Sequence, residues 1–352
     1  MTDDPGRPPL TYADAGVDID AQDRALAEIK RLAASTLVPG VLSEIGGFGG
    51  LFTLEPDNPT GPVLVASADG VGTKLKVAQL AGIHDTVGRD LVNHCVNDIL
   101  VQGARPLFFL DYLATGRLEP GVAASVVAGL AAACRENGCA LLGGETAEMP
   151  GFYGPGEYDL AGFIVGVCRR DRLLRREDTR AGDALVALPA SGLHTNGFSL
   201  ARKVIFEVLG LNPGSDLPGT GQTVAGALLA VHRSYLGAVG PLLEARLVRS
   251  AAHITGGGIA DNLPRALPPG AGAEIAADSW EEPPLFGLLR EAGRVPERDM
   301  RRTFNLGVGM ILVVGREDVG AVLEALAPHG ASWVIGRVVE GSGVRFVGAR
   351  HA

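Results

Sequence analysis

The sequence predicts two domains of mixed α/β architecture, and three observations lead to this fold class. The chain has 352 residues, whereas one domain usually holds about 100–200. Short apolar segments that favour strands alternate with longer segments that favour helices along the whole chain. A densely charged run from Arg169 to Arg180 interrupts this alternation. We therefore expect one domain at residues 1–170 and a second at residues 171–352.

The N-terminal half begins with a predicted amphipathic helix over residues 20–34, whose apolar residues recur at helical spacing. A glycine-rich segment at 45–50 follows, and then a buried strand at 63–67. The other predicted elements of this half are helix 86–102, strand 107–113, helix 119–137, strand 139–142 and strand 158–168. Gly138 is a typical residue to end the third helix.

The C-terminal half continues the alternation after a new strand begins at Ala184. Its predicted strands are 184–188, 248–254, 272–276, 307–314, 331–338 and 344–347. Its predicted helices are 198–209, 224–244, 259–267, 284–292 and 317–327. A loop rich in proline and glycine is expected at 212–222.

Composition narrows the possible functions. Hydrophobic residues make up 46% of the chain and mean hydropathy is +0.20, which is ample for two cores. The net charge of -9 argues against a nucleic-acid partner, which needs clustered Lys and Arg, but not against a nucleotide. The four cysteines show neither CxxC spacing nor a zinc pattern, which suits a reducing, cytoplasmic compartment. No signal peptide and no membrane span are expected.

The turn after the strand at 63–67 combines features that bind phosphate. Its sequence is Asp69-Gly70-Val71-Gly72-Thr73-Lys74. Glycines let backbone N–H groups approach a phosphate, the following helix adds positive potential at its N-terminus, and a lysine adds a charge. The aspartate could hold a magnesium ion. The pattern does not match GxxxxGK[ST], and a tight turn that only requires glycine explains it equally well.

A polar stripe on the helix at 86–102 is the second candidate feature. Its members, spaced three or four residues apart, are Asp90, Asn93, His94, Asn97 and Asp98. Short polar residues favour helix poorly, so a stripe of them between apolar residues indicates a lined cavity more than a solvated face. We expect the two aspartates to hold metal or to orient a polar substrate.

Three other glycine-rich loops carry candidate ligands. Glu145 lies in Gly143-Gly144-Glu145-Thr146, after a predicted strand, where it could join the metal site or simply cap the next element. His194 and Asn196 lie in the loop 191–197, and His253 begins the glycine-rich segment 253–258. A histidine near a strand end is more often structural than catalytic, and no GxSxG elbow is present.

Taken together, these segments resemble the phosphoribosylformylglycinamidine cyclo-ligase (AIR synthetase) family. The residues that carry the resemblance are 12–20 (YADAGVDID), 46–49 (GGFG), 69–74 (DGVGTK), 95–98 (CVND), 102–112 (QGARPLFFLDY), 143–151, Gly197, 255–258 (TGGG), 262–265 (NLPR) and 302–310 (RTFNLGVGM). The motifs are long, occur in order and extend from about Leu10 to the C-terminus. Departures are small: Ser67-Ala68 and Leu193 replace residues that are common in the family.

The resemblance implies a fold, an assembly and a reaction. It implies two α/β domains and a homodimer in which N-terminal sheets pair across the interface. It also implies a ligase of purine biosynthesis that uses ATP and Mg²⁺ to convert formylglycinamidine ribonucleotide into aminoimidazole ribonucleotide, ADP and phosphate. ATP phosphorylates the formyl amide oxygen, and an amidine nitrogen then closes the ring. This chemistry suits glycine loops, a lysine and carboxylates, because phosphoryl transfer depends on positioning and charge neutralisation.

The resemblance also assigns roles to residues. The catalytic set is Asp69, Lys74, Asp98, His194 and His253. The nucleotide-binding set is Lys30, Gly46, Gly47, Gly49, Gly50, Gly70, Gly72, Thr73 and Asn196. The metal set is Asp69, Asp98 and Glu145. Among relatives of this superfamily, a small-molecule kinase is the main alternative enzyme, and a non-catalytic ATP-binding scaffold is the alternative from another class.

Overall fold

The computed structural model describes residues 8–17 and 19–348; residues 1–7 and 349–352, and Asp18 of the N-terminal signature, lie outside the described residues. The elements of the N-terminal half are α1 (Ile19–Ala34), β1 (Gly50–Thr53), β2 (Pro62–Gly70), α2 (Lys74–Ala81), α3 (Asp85–Leu100), β3 (Arg105–Thr115), α4 (Pro120–Glu136), β4 (Ala140–Glu148) and β5 (Tyr158–Arg169). Five strands form one sheet in the order β1-β2-β5-β3-β4. Only β3 and β4 run parallel among its neighbouring pairs.

The C-terminal half builds a second sheet. Its elements are β6 (Ala184–Pro189), α5 (Phe198–Arg202), β7 (Asp216–Leu217), β8 (Gln222–Thr223), α6 (Val224–Leu228), α7 (Leu236–Glu244), β9 (Ser250–His253), α8 (Gly258–Asn262), β10 (Ala271–Ala276), α9 (Pro284–Gly293), α10 (Glu297–Thr303), β11 (Val308–Val314), α11 (Val319–Leu326), β12 (Trp333–Glu340) and β13 (Val344–Val347). Six of the strands pair in the order β13-β10-β12-β6-β11-β9. The predicted mixed α/β architecture is confirmed.

Helix α3 is the central element of the molecule. Every residue from Asp90 to Leu100 is buried, including the polar stripe. On one side α3 packs closely on α4, because Gly88 and Gly129 leave no side chain between the two backbones. A Cβ on Gly88 would lie 2.3 Å from the Val126 carbonyl oxygen. On the other side it meets a segment from the C-terminal half.

Two apolar clusters form the core, and both cross the expected domain boundary. One cluster joins the N-terminal sheet and α3 to α5 and α9, with Phe198 and Phe286 among its members. The other joins the C-terminal sheet to Phe48, Leu100 and Val101 of the N-terminal half. The two halves are therefore packed against each other over a broad apolar contact. The division into 1–170 and 171–352 stays a prediction.

Two element predictions are wrong, and one helix was missed. The predicted helix 224–244 is interrupted by an extended segment, residues 229–235, between α6 and α7. Residues 143–146, predicted as a loop, lie within β4, because the ladder with β3 extends to Glu148 and overrides the weak strand propensity of glycine. Helix α10 was not predicted. Within α1, Ile29 and Leu32 of the predicted apolar face are exposed.

The extended segment 229–235 is stable without helical hydrogen bonds because α3 replaces them. The Asp90 carboxylate accepts a hydrogen bond from the His232 amide at 2.7 Å. Asn93 donates to the His232 carbonyl oxygen at 2.7 Å. Asn97 donates to the Arg233 carbonyl oxygen and accepts from the Tyr235 amide. Buried backbone groups must be paired, and here a polar helix face pairs them.

Candidate active site

Four buried histidines from four different parts of the chain meet between the two halves. We call His94, His194, His232 and His253 the histidine cluster. They come from α3, the loop after β6, the extended segment 229–235 and the end of β9. The His194 and His232 rings stack with centroids 3.9 Å apart. Gly309 makes room for this arrangement, because a Cβ there would lie 2.6 Å from the His194 ring.

Hydrogen bonds connect the histidine cluster to two aspartates. The Nε2 atom of His94 lies 3.1 Å from Asp69 Oδ2, and its Nδ1 lies 2.9 Å from the Thr195 hydroxyl. The Thr195 hydroxyl lies 3.4 Å from His232 Nδ1. The Nε2 atoms of His232 and His253 are 3.0 Å apart, and His253 Nδ1 lies 2.8 Å from Asp98 Oδ1. One continuous chain of hydrogen bonds thus joins Asp69 to Asp98.

The protonation of the cluster follows from its surroundings. Burial lowers the pKa of His94, but the charge and hydrogen bond of Asp69 outweigh it and raise that pKa to about 9. Burial and neighbouring cationic groups hold the pKa of His194 and of His232 well below the usual range. Burial also lowers the pKa of His253, which the Asp98 carboxylate only partly offsets. At neutral pH, His94 is an imidazolium and the other three rings are neutral.

Lys74 is a structural member of the interface between the halves. Its ammonium lies 2.7 Å from the Asp90 carboxylate, and both side chains have no exposed area. It also donates to the carbonyl oxygens of Ala230 and His194 at 2.8 and 3.1 Å. Its ammonium thus makes one buried ion pair and two hydrogen bonds. In this structure Lys74 therefore fixes α2, α3 and the extended segment together and does not face an open cavity, so its predicted catalytic role stays a prediction.

A separate cavity of about 600 Å³ lies beside the glycine-rich segment at 45–50. We call it the glycine-loop cavity. It is lined by Lys30, residues 42–49, Leu51, residues 101–102 directly after α3, residues 170 and 173–177, residues 250–251 of β9, and Arg265–Ala266. The Lys30 ammonium lies against Gly46, within 2.8 Å of the position that a Cβ would take. Arg265 lies over the Phe48 ring at 5.3 Å and links the loop to the C-terminal half.

The predicted nucleotide-binding residues thus divide between two places. Lys30, Gly46, Gly47 and Gly49 line the glycine-loop cavity, while Gly50 begins β1 beside it. The turn with Gly70, Gly72 and Thr73 does not line it and is exposed. Gly50 pairs with Ala66, so the turn begins about 10 Å further along β2. The Thr73 hydroxyl contacts that of Ser199 at 3.1 Å.

Two other predicted site residues lie near these regions. Asn196 follows His194 and Thr195 of the loop after β6, and its side-chain nitrogen is buried without a hydrogen-bond partner. His194 accepts a hydrogen bond from the Ser191 amide through Nε2, and its Nδ1 is buried and unpartnered. Buried polar groups are usually hydrogen-bonded, so these two atoms call for a partner such as a water molecule or a ligand.

The predicted magnesium ligands are not gathered in one place. Glu145 is exposed on the edge strand β4, and the register Gly70–Ala161–Tyr112–Glu145 puts three strand spacings, about 14 Å, between it and the end of β2. Asp69 accepts from the Gly70 amide and faces His94, while Asp98 accepts from His253 and Ser67. All four carboxylate oxygens therefore face protein donors. Because Mg²⁺ prefers several oxygen ligands, these three residues do not fit a magnesium site in this conformation.

Sequence reasoning missed His232, Thr195 and Ser67 as members of the site. His232 was hidden because residues 224–244 were predicted as one apolar helix. A usable signal was present, since His232-Arg233-Ser234 is a polar run inside that helix. Polar residues on what would be its buried face indicate either a break or a function.

Comparisons with known proteins agree with this architecture. The N-terminal domain model of AIR synthase related proteins matches residues 51–168, and the C-terminal domain model matches residues 180–348. A solved structure, tt0281 from Thermus thermophilus, is similar with a TM-score of 0.64 and 26% identity, covering 93% of this chain and 96% of that chain. T. maritima PurL complexed with AMPPCP shares the fold, with a TM-score of 0.54 and 16% identity over 82% of this chain and 42% of that one. The fold and site thus define an AIR-synthase-type two-domain protein.

Curated relatives narrow this class further. The phosphoribosylformylglycinamidine cyclo-ligase of Trichlorobacter lovleyi is 53% identical over 333 residues, which cover 94% of this chain and 95% of the relative. The chain belongs to the phosphoribosylformylglycinamidine cyclo-ligase family, a family of ligases in purine biosynthesis. No helix in the part of the chain that the structure describes is long and apolar enough to cross a membrane.

Proposed function

We propose that this chain uses ATP to close the ring of formylglycinamidine ribonucleotide, giving aminoimidazole ribonucleotide, ADP and phosphate. The observation that carries the proposal is the glycine-loop cavity and its position beside the Asp98–His253 pair. Val101 and Gln102 line the cavity one helical turn after Asp98, and Ser250 and Ala251 line it just before His253 on β9. The glycine-loop cavity and the Asp98–His253 pair are therefore both built on α3 and β9.

The glycine-loop cavity has the size and charge for ATP. Small-molecule sites usually measure about 300–1,000 Å³, and this one has a volume of about 600 Å³. Its cationic side chains are Lys30, Arg170, Arg175, Arg176 and Arg265. Glycines at 46, 47 and 49 leave the loop backbone open to a phosphate. We assign the triphosphate to the loop and Lys30. PurL, a protein of the same fold, is solved in complex with AMPPCP, which supports a nucleoside triphosphate as the ligand here.

The chemistry proceeds in two steps. The formyl oxygen attacks the γ-phosphorus of ATP, ADP leaves with the electrons of the broken P–O bond, and the formyl amide nitrogen loses its proton as its C=N double bond forms. The amidine nitrogen then attacks the formyl carbon, and the C–O bond breaks so that phosphate leaves with its bridging oxygen. This nitrogen loses its proton, because the ring nitrogen that bears ribose carries none in the product. Positioning and charge neutralisation supply most of the catalysis. The magnesium requirement stays a prediction and enters neither step.

We also propose a homodimer that forms through the N-terminal sheet. Phe163 on β5 and Leu142 on β4 are 47% and 63% exposed on this sheet. Exposed apolar side chains on a sheet that ends in an open edge strand suit a second copy of the chain. Light scattering tests this: Phe163→Lys is expected to shift a dimer mass toward the monomer. We place the protein in the cytoplasm, as its four cysteines are free thiols.

The decisive test is a coupled assay with purified protein. We expect ADP release only when formylglycinamidine ribonucleotide is present, with aminoimidazole product formed in a 1:1 ratio to ADP. Phosphate transfer to a stable product without ring closure would instead identify a kinase. Absence of substrate-dependent ADP release, with ATP binding retained, would leave a non-catalytic scaffold and contradict the proposal.

A further inference from the structure

We propose that Cys134 and Cys139 are a redox-active thiol pair that forms a reversible disulfide and thereby changes how α4 packs on α3. Both residues are free thiols, and neither lines the glycine-loop cavity. Cys134 lies in the last turn of α4, and Cys139 lies directly before β4. Formation of the bridge is independent of the proposed function, whereas its effect on activity rests on that function.

The turn at the end of α4 holds the two cysteines side by side. The Cys139 amide donates to the Cys134 carbonyl oxygen at 2.9 Å, and the Gly138 amide donates to the Arg135 carbonyl oxygen at 3.2 Å. Gly138 has a φ of 66°, so this is the Schellman motif that commonly ends a helix. The first and last residues of that motif usually bring their side chains into contact. A disulfide joins Cα atoms about 4.4–6.8 Å apart, a range compatible with two residues that share a backbone hydrogen bond.

The two thiols differ in the way that disulfide formation requires. A hydrogen bond between them lowers the pKa of Cys139 and, together with burial, raises the pKa of Cys134 well above its usual range. Cys139 is partly exposed, whereas Cys134 is 2% exposed. Burial also raises the pKa of the other two cysteines, Cys95 and Cys168. Because the thiolate is the form that reacts with oxidants, Cys139 is the thiol that reacts first.

The bridge forms in two steps with hydrogen peroxide as the oxidant. The Cys139 thiolate attacks one peroxide oxygen, the O–O bond breaks, and Cys139 becomes a sulfenic acid while hydroxide leaves. The Cys134 sulfur then attacks the Cys139 sulfur, the S–O bond breaks, and the thiol proton and the departing hydroxide form water. The two thiols lose two electrons in total, and the peroxide gains them. A thiol reductant reverses the reaction by disulfide exchange.

Asn137 connects this turn to the buried centre of the molecule. It lies in the loop that the bridge would close, and its side-chain amide donates to the Asn93 side chain of α3 at 2.8 Å. Its side-chain oxygen accepts from the Ser234 hydroxyl of the extended segment at 2.6 Å. Asn93 in turn donates to the His232 carbonyl oxygen. Drawing two sulfurs from contact into a bond of about 2.05 Å moves the turn, so these hydrogen bonds and the histidine cluster beyond them shift with it.

Such a bridge suits a transient switch better than a structural crosslink. It encloses only residues 135–138, and so short a loop gains little stability from its closure. Strained disulfides are reduced readily, and disulfides in a reducing compartment are usually transient and sense oxidants. We therefore expect the pair to be reduced in the resting protein and to form its bridge only under oxidation.

The first experiment treats the purified protein with hydrogen peroxide, alkylates it without reduction and maps its cysteines by mass spectrometry. Trypsin cleaves after Arg135, so the bridge joins two otherwise separate peptides. We expect a crosslink between Cys134 and Cys139, while Cys95 and Cys168 are recovered as alkylated thiols. Dithiothreitol should restore all four thiols. A crosslink elsewhere, or Cys139 oxidised without any crosslink, would overturn the pair.

Kinetics test the consequence for α3. We expect oxidation to lower the kcat of the wild type by about 10-fold, since a displacement of about 1 Å far from the chemistry can cost up to about 100-fold. Cys139→Ser should keep wild-type kcat both before and after peroxide treatment. Cys168→Ser is the matched control, because the hydroxyl can still donate to the Arg169 carbonyl oxygen and the thiol pair is untouched.

The control variant should lose kcat on oxidation as the wild type does. If the crosslinked wild type keeps its full kcat, the proposed effect on the packing of α4 against α3 is wrong. Absence of substrate-dependent ADP release before any oxidation would instead refute the proposed function, and the peptide map would still decide whether the pair forms.

Discussion

The glycine-loop cavity and the histidine cluster show how two lysines assigned to the same ligand can lie in opposite environments. The family resemblance placed both Lys30 and Lys74 beside ATP. Lys30 is exposed and contacts Gly46 at the rim of an arginine-rich cavity. Lys74 has no exposed area and pairs with Asp90. A lysine beside glycines therefore indicates phosphate binding only when tertiary packing leaves its ammonium free to meet a ligand.

The two regions also differ in polarity, because tertiary packing leaves the cavity open to solvent and buries the histidine cluster. The glycine-loop cavity is charged and open, so charges there can attract an ionic ligand at modest desolvation cost. In the histidine cluster, burial holds three imidazoles neutral and a single strong carboxylate contact keeps His94 charged. The first environment suits binding and the second suits proton transfer. Four predictions test this division.

The largest effect is expected for Asp98→Asn. The amide can still accept from His253, so the fold should be retained, but it cannot take up or supply a proton. We expect kcat to fall by about 10²–10⁴-fold, the usual contribution of a general acid or base, with little change in KM for ATP. Steady-state kinetics and circular dichroism check this. Wild-type turnover would remove the Asp98–His253 pair from the chemistry.

Lys74→Met tests the structural half of the comparison. The substitution keeps the volume but leaves Asp90 as an unpaired charge in the interior, so we expect the free energy of unfolding to drop by about 3–5 kcal/mol. The double variant Lys74→Met, Asp90→Asn removes the charge but keeps an acceptor for the His232 amide, so it should recover much of that loss. Denaturant unfolding measures both. A fully stable single variant with a large increase in KM for ATP would instead support a phosphate-binding lysine.

Lys30→Ala tests the binding half. Loss of a charged hydrogen bond to phosphate costs about 1.5–3 kcal/mol, so KM for ATP should rise by about 10- to 100-fold while stability is unchanged. Lys203→Ala is the matched control, since Lys203 donates to the Asp14 carbonyl oxygen and does not line the cavity. An unchanged KM for ATP in Lys30→Ala would show that ATP does not bind in the glycine-loop cavity.

The pH dependence of stability is the subtlest effect. The folded pKa of His94 is raised to about 9 from an ordinary 6.5, so its contribution is complete below pH 6.5 and is lost as pH rises toward 9. The lowered pKa values of His194, His232 and His253 act oppositely, because unfolding at acid pH lets these rings take up protons. The free energy of unfolding should therefore peak near pH 6.5. His94→Asn should flatten the alkaline side only; an unchanged alkaline slope would contradict the charge assigned to His94.

Much of the fold was accessible from local pattern. The helices around Asp90 and Val126 and the strands around Val65, Ile164 and Leu312 were predicted because apolar periodicity is strong there. The helix predicted over 224–244 failed because the hydrogen bonds that stabilise segment 229–235 come from Asp90, Asn93 and Asn97, more than 130 residues away. Local pattern carries no information about such partners.

The sequence by itself determined the mixed α/β class, the family and the polar stripe of α3, and it proposed Asp98, His194 and His253 as site residues. Those properties follow from residue order, which determines periodicity and motif spacing. Only the tertiary structure decided that Lys74 is buried, that Glu145 lies three strands from Asp69 and that His232 joins the site. Burial, strand order and the meeting of distant segments depend on how the two halves pack, and packing sums contacts that no local stretch of sequence contains.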